Sequence, residues 1–252
     1  MAFIDTFLNG ETGSAIRAII NALVGRGNGT GWADYVDDQY TSGSPLSLAA
    51  DTATVLPNNA ATVRETQKPQ DVNTFYTPAS LAYDGGTQAF TIGETVTGGS
   101  SGATAEIQEI SGDASSGLLF LGEITGTFTN NEAITGTTTG AALANGTNGA
   151  GKITGRNGDG LAVTIDFVAL PTNAGTTYLE CWIDIGGAVG EIYKRIVSFP
   201  KGNGVVRPIN FTVDGYTLDT WEANGGTVYV KANNTADLYN IRYVLTRTHM
   251  AR

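Results

Sequence analysis

The residues best equipped to hold a ligand lie in the last quarter of the chain. Tyr216, Trp221 and Tyr229 are interleaved there with Asp214, Asp219 and Asn224. Aromatic faces beside Asp and Asn groups are what sugar recognition uses: rings supply apolar area, and carboxylates and amides bond hydroxyls. Tyr216, Asp219, Trp221 and Asn224 are therefore the candidate glycan contacts. The run Gly215-Tyr216-Thr217-Leu218-Asp219-Thr220-Trp221 reads equally as a loop packed under a sheet or set in a subunit contact.

Other reactive groups are sparse. Asp166, Glu180 and Asp184 could supply the paired carboxylates of glycoside hydrolysis, and a hydrolase of that kind would lose turnover in Asp184→Ala. Strand alternation instead puts all three opposite the apolar face, on a solvated exterior. His249 is the one histidine and sits next to the C-terminus, a poor place for a catalytic base held to tight geometry. One His and one Cys rule out zinc sites built from several such ligands. Asp34, Asp37 and Asp38 beside Tyr35 and Tyr40 offer oxygen ligands for Ca²⁺, but not at EF-hand spacing. Asn157-Gly158-Asp159-Gly160 reads first as a turn and second as a cation loop. No glycine loop is followed by Lys-Ser/Thr, so no phosphate cradle is expected. The chain is expected to be no enzyme and to need no cofactor or metal.

The elements that position these residues are strands. Leu161, Val163, Ile165 and Phe167 share one face of a strand, as do Leu179, Cys181, Ile183 and Ile185. The single Cys181 has no disulfide partner within the chain and reads as a small buried apolar residue. Tyr193, Val197 and Phe199 oppose Ile192, Lys194 and Ile196. Val205, Ile209, Phe211 and Val213 align, and so do Tyr239, Ile241, Tyr243 and Leu245. Gly/Asn turn clusters punctuate these runs, and shorter strand candidates lie at 46–50, 52–56 and 75–82. The pattern predicts an all-β fold: an antiparallel jelly-roll sandwich with an inserted small β repeat module and a short N-terminal helix. The sandwich is assigned to residues 31–82 and 150–252, the module to 83–149. Sequential domains, with 32–82 as a stalk, are the other arrangement.

The module is a duplication. Residues 90–103 (FTIGETVTGGSSGA) recur 38 positions later as 128–141 (FTNNEAITGTTTGA), with seven of fourteen positions identical. Strand formers, turn glycines and few charges suit a displayed β unit and carry no reactive set. Residues 1–30 are assigned to an anchor: Ile16, Ile19, Ile20, Leu23 and Val24 form one stripe on a helix over 14–24, followed by a Gly-rich linker. A helix this short is marginal alone, so its stripe must dock on its own domain, on further copies or on a larger assembly. Ile16, Ile19, Ile20 and Leu23 are the candidate attachment residues.

Net charge of −10 and only 15% charged residues leave no basic stripe for nucleic acid; Lys194–Arg195 is the densest basic pair. The N-terminus lacks a basic segment before an apolar run, so synthesis in the cytoplasm without a signal peptide is expected. No apolar stretch is long enough to span a bilayer, so no membrane partner is expected.

The run Gly93-Glu94-Thr95-Val96-Thr97-Gly98 through Ser101-Gly102-Ala103-Thr104-Ala105 resembles a repeat of tailed-bacteriophage structural proteins. The segments Asp184-Ile185-Gly186-Gly187, Glu191-Ile192-Tyr193, Phe199-Pro200-Lys201-Gly202 and Asp219-Thr220-Trp221-Glu222-Ala223-Asn224-Gly225-Gly226 resemble C-terminal jelly-roll domains of phage fibres, spikes and head-decoration proteins. Residues 13–23 are similar to short attachment helices of phage fibres. The resemblance implies a homotrimeric virion surface protein, a capsid decoration (cement) protein held to the major capsid protein or to tail or portal components. The alternative it implies is a head or tail fibre that binds host surface polysaccharide through Tyr216 and Trp221.

Overall fold

The computed structural model describes residues 31–59, 63–66, 75–199 and 204–249. The expected N-terminal helix and its stripe lie outside the described residues. The chain begins with β1 (Gly31–Val36), β2 (Leu46–Leu48), β3 (Thr54–Val55), β4 (Val63–Thr66) and β5 (Tyr76–Thr77). Next come β6 (Ala79–Gln88), β7 (Thr95–Gly98), β8 (Thr104–Gly112), β9 (Gly117–Thr125), β10 (Ala133–Gly136) and β11 (Ala141–Ala144). They are followed by β12 (Lys152–Ile153), β13 (Gly160–Pro171), β14 (Tyr178–Asp184), β15 (Glu191–Ser198) and β16 (Arg207–Tyr216). A helix, α1 (Asp219–Asn224), then leads to β17 (Thr227–Ala232) and β18 (Ala236–His249).

The strand order is that of a jelly roll. One sheet runs β16-β13-β18-β1-β4, with β2 also on β18; the facing sheet runs β15-β14-β17-β3. Eight of these strands, β1, β3 and β13 to β18, divide between two four-stranded layers as two Greek keys do. Their inward faces carry the alternation seen in the sequence: Val163, Ile165, Leu179, Cys181, Ile183 and Leu245 are all fully buried. Burial also pushes the Cys181 thiol pKa well above its ordinary value, so it remains a neutral packing group.

β6 to β11 form a closed six-stranded barrel, ordered β10-β11-β6-β9-β8-β7. It has its own core of Leu81, Val96, Ile107, Leu119, Leu121, Phe128 and Ile134, separate from the sandwich core. Closure leaves the barrel no free sheet edge. Its stems β5 and β12 pair through Tyr76↔Ile153 and Thr77↔Lys152, and Ile153 bridges to Gly226 ahead of β17. Gln39 adds a tie by donating from Nε2 to the Ile124 carbonyl at 3.1 Å.

Four local expectations change. The strand expected over 75–82 is divided: β5 is a stem, and β6 enters the barrel at Ala79 rather than at 83. The run 215–221 is no plain loop, because Asp219 starts α1 and Gly225 ends it at φ 70°. Leu238, not Tyr239, joins Ile241 in the core; Asn240 at φ 53° and a register shift against β13 insert an extra residue and reverse the phase. Val205 is 44% exposed, since β16 begins only at Arg207.

Candidate functional site

The four candidate glycan contacts do not share one exposed surface. α1 turns Trp221 inward, where it is buried and its indole Nε1 donates to the Ile153 carbonyl at 2.9 Å. That bond ties the helix to the barrel stem. Asn224 donates from Nδ2 to the Ile185 carbonyl at 3.0 Å, and Asp219 accepts from the Thr220 amide at 3.0 Å. Tyr216 is 66% exposed, edge-on to His249 at 6.3 Å between ring centroids. Tyr229 stacks on Trp182 on the outer face of the second sheet at 5.7 Å, with the Lys194 ammonium 4.6 Å from the Trp182 ring centroid. Tyr216 and Trp221 do border a common apolar depression with Leu161, Val163, Tyr193 and Val213. It encloses about 180 Å³ including its mouth, below the ~300 Å³ at which small-molecule sites begin.

The three carboxylates of the hydrolase reading are separated by the sandwich. Asp166 lies on β13 in one sheet and accepts from Asn210 Nδ2 at 2.6 Å. Glu180 and Asp184 lie on β14 in the other sheet. Glu180 pairs with Lys194 and Lys231 at 3.5 and 3.4 Å, while Asp184 accepts from the Gly186 amide at 2.7 Å. Four residues along a strand span ~13 Å, too far for Glu180 and Asp184 to act on one bond.

The cation readings give way to internal bonds. Asp34 takes a two-pronged bond from Arg242, at 2.8 Å to each oxygen. Asp37 accepts from the amides of Tyr40 (2.6 Å) and Asn59 (2.8 Å), and burial raises its pKa against the pull of those bonds. Asp159 pairs with Arg247 at 3.1 Å and Arg156 at 3.6 Å. Among the described residues, no group of three or more His, Cys, Asp or Glu is placed to hold a metal ion. None of their helices is long and apolar enough to cross a membrane.

The most elaborated polar constellation is in the barrel. Glu94 and Glu132, equivalent residues of the two repeats, are both buried. Each carboxylate reaches into the turn of the other copy. Glu132 Oε2 accepts from the Ser100 and Ser101 amides at 3.0 and 2.8 Å and from Ser100 Oγ at 3.0 Å. Its Oε1 accepts from Ser101 Oγ at 2.8 Å and the Thr129 amide at 2.6 Å. Reciprocally, Glu94 accepts from the amides of Thr138 (2.9 Å), Thr139 (3.3 Å) and its own Thr91 (2.6 Å). Gly98 and Gly136 stand where any Cβ would collide with the facing carboxylate. Desolvation works to raise the Glu132 pKa, but the bonds from Ser100, Ser101 and Thr129 outweigh it and hold the carboxyl at about 2.

The two clasps obey a pseudo-two-fold axis. β7 and β10 pair as Val96↔Gly136, Thr97↔Thr135 and Gly98↔Ile134, which is symmetric about Thr97–Thr135. The second turn is one residue shorter than the ungapped repeat alignment implies: Val96 faces Ala105, whereas Ile134 faces Ala142. The signal for this device was the Glu kept at the same place in both copies, three residues after Thr91 and Thr129.

No family model matches the chain, and no curated protein matches it in sequence. Three solved structures of virus particles align with it. The T13 particle of infectious bursal disease virus (IBDV) is 10% identical over 87% of this chain and 69% of its own, with a TM-score of 0.24. The Gx strain of the same virus is 9% identical over 87% and 71%, with a TM-score of 0.23. Its VP2 subviral particle is 12% identical over 88% and 68%, also with a TM-score of 0.23. No function passes to this chain at these identities and scores.

Proposed function

We propose that this chain is a non-enzymatic structural protein of a tailed-phage virion surface, a capsid decoration (cement) protein that assembles as a homotrimer. The observation that supports the reading best is architectural: a jelly roll with a complete core carries a second, closed barrel with a core of its own. Each core is built from that unit's own strands. That suits display on a particle, and the resemblance of residues 93–105 and of the segments 184–187, 191–193, 199–202 and 219–226 to phage surface proteins points the same way. In this reading the stripe Ile16, Ile19, Ile20 and Leu23 attaches the protein to the major capsid protein or a neighbouring virion component, while the barrel projects. Deleting residues 1–28 is expected to leave a folded β protein that no longer joins particles. Loss of folding in that variant would make the segment part of the core and end the anchor reading.

The exposed Tyr216 favours a second reading, a head or tail fibre that contacts host glycan. Quantitative mass spectrometry of purified particles separates the two. Copy number near the capsomer count is expected for decoration. A few copies per hundred capsid subunits would replace it with the fibre reading, and absence from particles would reject both.

A further inference from the structure

Charge is distributed unevenly over this acidic chain. Between Lys68 and Lys152 the sequence has no Lys, Arg or His, while the barrel contributes Asp84, Glu94, Glu106, Glu109, Asp113, Glu123 and Glu132. Glu94 and Glu132 are the internal clasps. Glu106, Glu109, Asp113 and Glu123 all lie on the β8–β9 hairpin, and Glu109, Asp113 and Glu123 are exposed. Ile92 and Leu143, 62% and 40% exposed, add apolar area to the barrel surface.

The opposite pattern occurs at one rim of the sandwich. From Lys194 to Arg207 the sequence holds no acidic residue; Lys194 is paired with Glu191 and Glu180, and Arg195 and Arg207 are the described cations left to this rim. β15 and β16 are the outer strands of their two sheets, so each has one row of backbone donors and acceptors with no strand beside it. At eight and ten residues they are far longer than β3 and β4, the strands at the other edges. Arg195, exposed on β15, sets a charge on this edge strand and discourages direct strand pairing. Ile196, next along β15, and Val205 and Val206, just ahead of β16, are 63%, 44% and 50% exposed. Exposed aliphatics flanked by Arg make an interface composition, not that of an ordinary solvated rim. The ties to the barrel run from Gln39, after β1, and Gly226, ahead of β17, and neither lies on β15 or β16.

We infer that the β15–β16 rim (Arg195, Ile196, Val205, Val206 and Arg207) receives the acidic β8–β9 hairpin of a second copy of this chain. Opposite surfaces of one molecule meet in such a contact, so it is heterologous and closes into a ring when the rotation allows. The inference concerns the chain alone in solution and does not depend on the virion reading.

Sedimentation velocity on the whole chain tests it. Association at low salt is expected to weaken about tenfold or more at half-molar NaCl, where screening shortens to a few ångströms. Arg195→Glu with Arg207→Glu is expected to abolish association, and Glu106→Lys with Glu109→Lys to do the same, with far-UV circular dichroism unchanged. Mixing the two variants is the diagnostic step: each then meets its complement, and association returns. A wild-type chain monomeric at every ionic strength overturns the inference, as does association insensitive to salt or to both variants. Loss in both variants without rescue on mixing also overturns it, and assigns the rim to an anionic partner other than this chain.

Discussion

Glu132→Gln is expected to loosen the barrel while leaving the sandwich folded. The carboxylate accepts five hydrogen bonds, from the Ser100, Ser101 and Thr129 amides and from two Ser hydroxyls. An amide keeps one acceptor oxygen and turns an NH₂ group toward donors that then have nothing to bond. Hydrogen bonds to a charged acceptor are worth ~1.5–3 kcal/mol each, and stranding a buried donor costs ~1–3 kcal/mol. A loss of about 3 kcal/mol in barrel stability is the expected scale. Hydrogen exchange in peptides from 90–144 reads the barrel. Trp fluorescence reads the sandwich, because Trp32, Trp182 and Trp221 all lie outside β6 to β11. Faster exchange with an unshifted Trp transition is the expected pair of results. Exchange unchanged from wild type would mean that the clasp holds nothing. The pH dependence has a definite sign. The folded carboxyl is held at about 2, below its ordinary 4.5, so its contribution is complete above the ordinary value and is lost as pH falls through the window between the two. Acid titration of wild type is expected to raise barrel exchange in that window, and Glu132→Gln to flatten this response.

The clasp also shows what a sequence reading can and cannot reach. The inward faces of β13 and β14 were legible because burial on one side writes a period of two into consecutive residues, as in Leu161, Val163, Ile165 and Phe167. Phase was lost at Asn240, where one polar residue at positive φ adds a step to β18 and moves the core position from Tyr239 to Leu238. The stems β5 and β12 have two residues each, too few to carry any period. The candidate glycan group shows a different limit. Tyr216, Asp219, Trp221 and Asn224 are close in sequence, but one helical turn is enough to send Trp221 inward to bond the Ile153 carbonyl. Proximity along the chain says which side chains are near one another and nothing of which way they face. The repeat was visible as identity, yet its purpose lay in bonds that cross from each copy to the other.

Asp159→Ala is expected to destabilise the sandwich by about 3–5 kcal/mol, the usual cost of breaking a buried ion pair. Asp159 is 1% exposed, and its partner Arg247 sits inside as well, over the Phe75 ring with the guanidinium carbon 5.1 Å from the centroid. Burial draws the Arg247 pKa below its ordinary value; Asp159 opposes this and nearby Arg156 adds to it. Removing the carboxylate therefore leaves two guanidinium groups facing each other, one of them poorly hydrated. The pair joins the turn before β13 to the end of β18, strands held side by side by the longest ladder among the described residues. Arg247→Leu alone is expected to cost less than Asp159→Ala, since Asp159 retains Arg156 at 3.6 Å. In the double variant the charge conflict disappears, and an apolar side chain beside Phe75 is expected to recover a large part of the loss. Urea unfolding followed by Trp fluorescence supplies all four corners of this cycle. Equal and additive losses would show that the two residues act separately and that the pair contributes no coupling to the sandwich.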